Sequence, residues 1–258
     1  MYATLQYSLE GAIATITLNR PERKNALSAD MVNELLYAVE GTDNDINVRV
    51  VILAAAGKVF SAGGDLGQMG SGGVVGGELP LKGDYSDLLL ALVRAKKPVI
   101  AQIQGHAMGG GLGLVAASTL AVASNDALLG TPELNVGLWP MMIMAVLARS
   151  MPRKSLLEMM LFAQKLSAAD ALRVGLVNRV VAPERLEAEV NGMAEALAAK
   201  SPTAVQRGLA AYGALGDRTL ADALPWLRDE LYSMLATEDA REGLMAFMEK
   251  RAPRWTGR

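Results

Sequence analysis

The sequence predicts an α/β core with crossover connections over residues 1–200 and a helical module over 201–258, and three observations carry that expectation. Short apolar runs alternate with glycine-rich loops and helical segments through the first half of the chain. Two of those runs, RVVILAAAG and PVIAQIQG, are apolar on both faces, as strands of a buried parallel sheet are. After Pro140 the character changes to a succession of amphipathic segments.

In chain order, residues 2–8 and 12–18 alternate about Glu10-Gly11 and read as a hairpin. A turn at Arg20-Pro21 precedes a helix with Ser28 as N-cap, in which Met31, Leu35, Leu36 and Val39 recur at helical spacing. A short strand at 50–54 and another at 98–105 are separated by one glycine-rich loop and a helix at about 86–95. A helix begins within 109–119, a strand follows at 120–124, and ALLG is a short strand or turn. Beyond Pro140, MMIMAVLARS, RKSLLEMMLFAQ, SAADALRVG and PERLEAEVNGMAEALAAK read as helices, with LVNRVV (176–181) the only strand. Gly175 closes the helix before that strand. Residues 203–250 are almost wholly helical and lead into a basic tail.

Composition narrows the function. With 51% hydrophobic and 20% charged residues the chain is not a disordered one, and its length allows about 70% of the unfolded surface to be buried. Twenty-five Lys and Arg against 27 Asp and Glu argue against a large basic face for nucleic acid. No cysteine is present, which excludes disulfides, thiolate metal sites and a cysteine nucleophile, and a single histidine leaves little for a metal site or a triad. Cytoplasmic or organelle-matrix placement fits the missing cysteines, and cytoplasmic placement is the expectation. The N-terminus lacks the basic leader and apolar run of a signal peptide, and LGLVAAST is too short to span a bilayer, so no membrane role is expected.

Three segments could carry chemistry. In VFSAGGDLGQM (59–69), small residues let backbone N–H groups approach a ligand, although an ordinary strand-to-helix turn fits as well. Neither GxGxxG nor a Gly-Lys-Ser/Thr loop is present. In GHAMGGGLGLVAAS (105–118), three glycines at a helix start are costly unless something must come close, and the helix terminus favours an anion or a developing negative oxygen. His106 reads as a packed or hydrogen-bonded residue. In GTPELNVGLWPMM (130–142), Glu133 sits among apolar neighbours that favour a raised pKa and proton transfer, while a surface or capping glutamate is the alternative. Leu138, Trp139, Met141, Met142 and Met144 could line an adaptable apolar pocket or simply belong to the core. Together, two backbone donors and one carboxylate beside an apolar slot make a minimal site for forming and protonating an enolate.

These segments, with ITLNRPERKNALSADM, LSAADALRVGLVNRVV and EDAREGLMAFMEKRAPRW, resemble the crotonase superfamily, the enoyl-CoA hydratase/isomerase family, over nearly the whole chain. The resemblance implies a spiral of ββα units with a helical C-terminal module, assembled as a homotrimer or a dimer of trimers. It implies an acyl-CoA thioester as substrate and no cofactor besides the coenzyme A that the substrate carries. The N–H groups of Gly64 and Gly110 would hold the thioester oxygen, with Glu133 as proton carrier. Arg23, Lys24, Ala26, Ala62, Gly63, Asp65 and Leu66 would carry the CoA moiety. Gly109, Gly113, Leu138, Trp139 and Met141 would surround the acyl end, and Lys250 would approach the CoA phosphates, frequently from a neighbouring subunit. Residues 67–86 correspond to a variable, mobile acyl-pocket loop.

One departure stands out. Hydratases of the family typically carry two glutamates, and the position of the first is Gly113 here, which leaves space for a larger acyl group or an extra water. A single glutamate resembles the family's double-bond isomerases, so isomerisation is favoured. Hydration or dehydration is the first alternative, and a non-catalytic acyl-CoA-binding homologue is another.

Overall fold

The computed structural model describes residues 2–65, 67, 76–216 and 218–258. Strands β1 (Leu5–Glu10) and β2 (Ile13–Leu18) form the antiparallel hairpin, turning at Gly11 with φ +58°. Helix α1 (Ala29–Asn44) starts as its sequence dictates: the Ser28 hydroxyl accepts from Met31 N at 3.2 Å. The chain then winds in repeated turns. β3 (Val50–Ala55) and β4 (Val59–Ser61) precede α2 (Tyr85–Val93), and β5 (Val99–Ile103) and β6 (His106–Met108) precede α3 (Gly110–Ala117). β7 (Leu120–Ser124) and β8 (Leu128–Gly130) then precede α4 (Met141–Ser150) and α5 (Arg153–Leu161). β9 (Lys165–Ser167), α6 (Ala168–Arg173) and β10 (Arg179–Val181) follow. The chain ends in α7 (Leu186–Ala198), α8 (Pro202–Leu215), α9 (Leu220–Leu235) and α10 (Glu238–Met248).

Each turn of this spiral gives one strand to each of two sheets. The larger runs β1-β2-β3-β5-β7-β10, parallel apart from the hairpin, and the smaller runs β4-β6-β8-β9. Burial on both faces explains the apolar runs. Val51 and Leu53 of β3 face the main core with α1 and α3, whereas Val50, Ile52 and Ala54 face Leu186, Val190 and Ala194 of α7. The strands β4, β6 and β9, three residues each, were not expected. They are too short to show alternation, and β9 corrects the expectation that 176–181 holds the only strand after Pro140. Helices α8, α9 and α10 pack mainly on one another and bury only Ala223, Asp239 and Ala246.

Candidate active site

Three segments meet at one cavity of about 730 Å³, lined by Gly64, Gly110 and Glu133 among others. The first leaves β4 and runs beside the turn that precedes α1. Ala62 N donates to Lys24 O (2.9 Å), Leu27 N to Gly63 O (2.8 Å) and Asp65 N to Leu27 O (3.1 Å). Asn25, buried and left-handed at φ +51°, locks the turn by donating its amide to the carbonyls of Ala56 and Val59. The buried Asp65 carboxylate faces Arg20 at 3.5 Å and Arg23 at 3.8 Å, and Ala26 O accepts from Arg20 at 3.2 Å. Arg23, Lys24, Ala26, Ala62, Gly63 and Asp65 are thus brought together, while Leu66 lies outside the described residues.

The second segment is the start of α3. Gly109 has φ +50°, and a Cβ there would stand 2.8 Å from Glu133 Oε1, so glycine is required on both counts. Gly110 lies so near the first segment that a Cβ on it would stand 3.5 Å from Gly64 N and 3.1 Å from Leu27 Cδ1. Among the described residues, neither Gly64 N nor Gly110 N donates to a backbone oxygen. Two N–H groups without a hydrogen-bond partner among the described residues therefore border one cavity, the second of them at a helix N-terminus.

The third segment is the 3-10 turn Pro132–Val136 after β8, which carries Glu133. The Glu133 side chain is half-buried, and its Oε2 is fully covered with no hydrogen-bond partner among the described residues. Burial pushes its carboxyl above the ordinary range, partly offset by its own backbone N–H. Leu138, Trp139, Met141 and Met142 form the apolar wall beside it. Met144 instead packs on the core, accepting from Trp139 Nε1 at 3.5 Å.

The expectation for Gly113 changes, and the other predicted residues are placed as follows. Gly113 leaves no room: a Cβ there would collide with the Tyr85 hydroxyl and stand 2.5 Å from Ile143 Cγ2, so these two side chains fill the space expected for a water or a larger acyl group. His106 is exposed and away from the cavity, its Nδ1 accepting from Leu128 N at 3.2 Å. Lys250 lies beyond the end of α10, exposed, and does not line the cavity. In the loop 67–86, residues 68–75 lie outside the described residues. The rest is tied to α1, with Asp30 accepting from Gly76 N (2.8 Å) and Gly77 N (2.9 Å) and Asn33 from Lys82 N (2.7 Å). Asp84 and Asp87 reach the cavity, but each caps the other's backbone at the start of α2. Among the described residues no group of three His, Cys, Asp or Glu could hold a metal, and no helix is long and apolar enough to cross a membrane. Tyr85 escaped the sequence reading. Its only local signal is the capping pattern DYSD, which starts the helix without saying what the phenol meets.

The model of the enoyl-CoA hydratase/isomerase family matches residues 8–258. The chain belongs to that family. It is 37% identical over 251 residues to a Rhizobium meliloti protein named a probable enoyl-CoA hydratase, covering 97% of this chain and 96% of that one. Solved relatives include an enoyl-CoA hydratase of Mycobacterium smegmatis (35% identity, 98% of each chain, TM-score 0.89). Another is human enoyl-CoA hydratase domain-containing protein 3 (30% identity, 98% of this chain and 100% of that one, TM-score 0.90). The fold is the crotonase spiral, and the protein is an enzyme of the general enoyl-CoA hydratase/isomerase type acting on acyl-CoA thioesters. The cytoplasmic expectation does not stand: relatives from Xenopus laevis, Dictyostelium discoideum and Danio rerio are named as mitochondrial proteins.

Proposed function

We propose that this enzyme forms a thioester enolate, held by the N–H groups of Gly64 and Gly110, and that Glu133 moves the proton, with double-bond isomerisation as the favoured outcome. The observation that carries the reading is the Glu133 carboxylate. Among the described residues it has one covered, unpartnered oxygen and shares a cavity with two unpaired amides. Donors fixed before the reaction stabilise charge as it develops on the oxygen, and a carboxyl raised by burial is a better base than one in water. A single carboxylate can carry one proton between two carbons of the acyl chain. Syn-hydration is easier with a second group to hold water, and the space beside Gly113 is filled by Tyr85 and Ile143.

Hydration is the second reading, favoured by the names of the relatives. A panel of 2-enoyl-, 3-enoyl- and 3-hydroxyacyl-CoA esters followed by product mass separates the two. Isomerisation leaves the mass unchanged and hydration adds one water. Glu133→Gln should abolish turnover while leaving CoA-ester affinity within about twofold, since only the proton carrier is lost. A variant that kept most of its activity would remove Glu133 from the role.

The CoA moiety is assigned to the paired segments 20–26 and 60–66. The module 201–258 is assigned to homotrimer or dimer-of-trimers assembly, with Lys250 reaching toward a neighbour's CoA phosphates. Support for assembly is the exposure of Tyr212, Leu224, Leu231, Tyr232, Phe247 and Met248 on α8, α9 and α10.

A further inference from the structure

The amide that would face the thioester oxygen belongs to the middle of three consecutive glycines, Gly109, Gly110 and Gly111. Gly109 and Gly111 on either side have no room for a side chain and Gly110 has little, yet glycine is also the residue whose backbone is least fixed by its own sterics. A donor that wanders gives little stabilisation to a developing charge, so its rigidity must come from outside the triplet.

We infer that Tyr85 is a positioning residue for the reaction: by holding the Gly110 carbonyl it fixes the peptide that follows the Gly110 Cα, and so limits the rotation by which the preceding peptide, which carries the Gly110 N–H, could turn from the cavity. Three contacts carry the assignment. The Tyr85 hydroxyl donates to Gly110 O at 2.5 Å. The ring lies over the same residue, with Cζ 3.5 Å from where a Gly110 Cβ would stand, and Leu27 Cδ1 closes on that point at 3.1 Å. The hydroxyl also occupies the notch that Gly113 leaves one turn further along α3. Tyr85 is itself held: it is the first residue of α2, whose start is fixed by the reciprocal Asp84–Asp87 cap, with Asp84 accepting from Ser86 N at 2.8 Å and Asp87 from Asp84 N at 2.9 Å. Burial, with the Glu133 charge adding to it, pushes the phenol well above its ordinary pKa, so the hydroxyl stays a protonated donor.

This rests on the enolate reading above, and the test keeps the two apart. Tyr85→Phe retains the ring and removes only the donor. Wild type and variant would be compared in Glu133-dependent proton exchange at carbon 2 of butyryl-CoA. The second comparison is the fraction of bound acetoacetyl-CoA present as enolate, read from its near-ultraviolet band without turnover. The expected result is a fall of about tenfold in both kcat and the enolate-to-keto ratio, the size of one lost hydrogen bond. KM should stay within twofold and the Tm within about 2 °C. Unchanged kcat and enolate ratio would overturn the inference. So would a loss of thermal stability with KM and kcat deteriorating together, which marks a merely structural role. A wild type that exchanges no proton through Glu133 but still binds the enolate would overturn the function reading alone, and the enolate ratio would still decide Tyr85.

Discussion

At the scale of single residues, Glu133 and Tyr85 show what a local sequence does and does not record. Glu133 is legible because a carboxylate set between proline and leucine, in an apolar stretch, announces its own desolvation. Tyr85 is not, because its partner Gly110 stands 25 positions away and the pair exists only once α2 packs on α3. The Glu133 environment also has a stability consequence. Its carboxyl pKa is raised in the folded chain, so the folded state holds the proton more tightly than the unfolded one, and stability falls as pH rises through that titration. Glu133→Gln removes this penalty. Its Tm should exceed that of the wild type at neutral pH, and the advantage should vanish below about pH 4, where both states of the wild type are protonated. Thermal melts across that range check the sign. A variant less stable at pH 7 would mean that the carboxylate is compensated after all. The same shift places the acid limb of wild-type proton exchange above the pH range of an ordinary carboxylate.

At the scale of elements, strands buried on both faces and helices with a strong apolar stripe were readable, as β3, β5, β7 and α1 illustrate. The smaller sheet was not, since three-residue strands such as β4 and β6 are defined by their neighbours rather than by alternation. Yet those strands deliver Gly64 and Gly110 to the cavity, so the sequence shows the glycine loops without showing that they converge. Convergence comes from the backbone bonds that lace 24–27 to 62–65 and from the tight approach of α2 to α3. That approach is itself testable. Gly113→Ala inserts a methyl group where the Tyr85 hydroxyl and Ile143 already stand, and overpacking of this kind costs about 1–3 kcal/mol. In a Tyr85→Phe background the hydroxyl is gone and the cost should be smaller. Denaturant midpoints of the four proteins in this cycle give the coupling directly. Equal costs in both backgrounds would show that Ile143 alone fills the notch.

At the scale of the whole molecule, the spiral and its C-terminal helices have opposite surface economies. In the spiral, two sheets and α7 cover one another and form the buried core, although Ile46, Leu81 and Phe162 among others stay exposed. In α8, α9 and α10 the situation reverses: amphipathic helices hide only three residues and leave Phe247 84% and Tyr212 77% exposed. Binary patterning places those apolar positions for burial, and within one chain nothing among the described residues buries them. A formal charge of only −2 offers little repulsion against self-association. A second, third or sixth copy of the chain is the occupant that the assembly proposal requires. Sedimentation velocity should therefore give a species of about three or six times 27.2 kDa. The double substitution Phe247→Glu with Met248→Glu, which removes no buried contact within the chain, should shift it toward monomer. If Lys250 serves a neighbour's CoA, the dissociated form should also show a raised KM for CoA esters with its Glu133 chemistry intact. A wild-type chain that sediments as a monomer at micromolar concentration would overturn the assembly, and with it the role assigned to Lys250, while leaving the cavity and its two amides untouched.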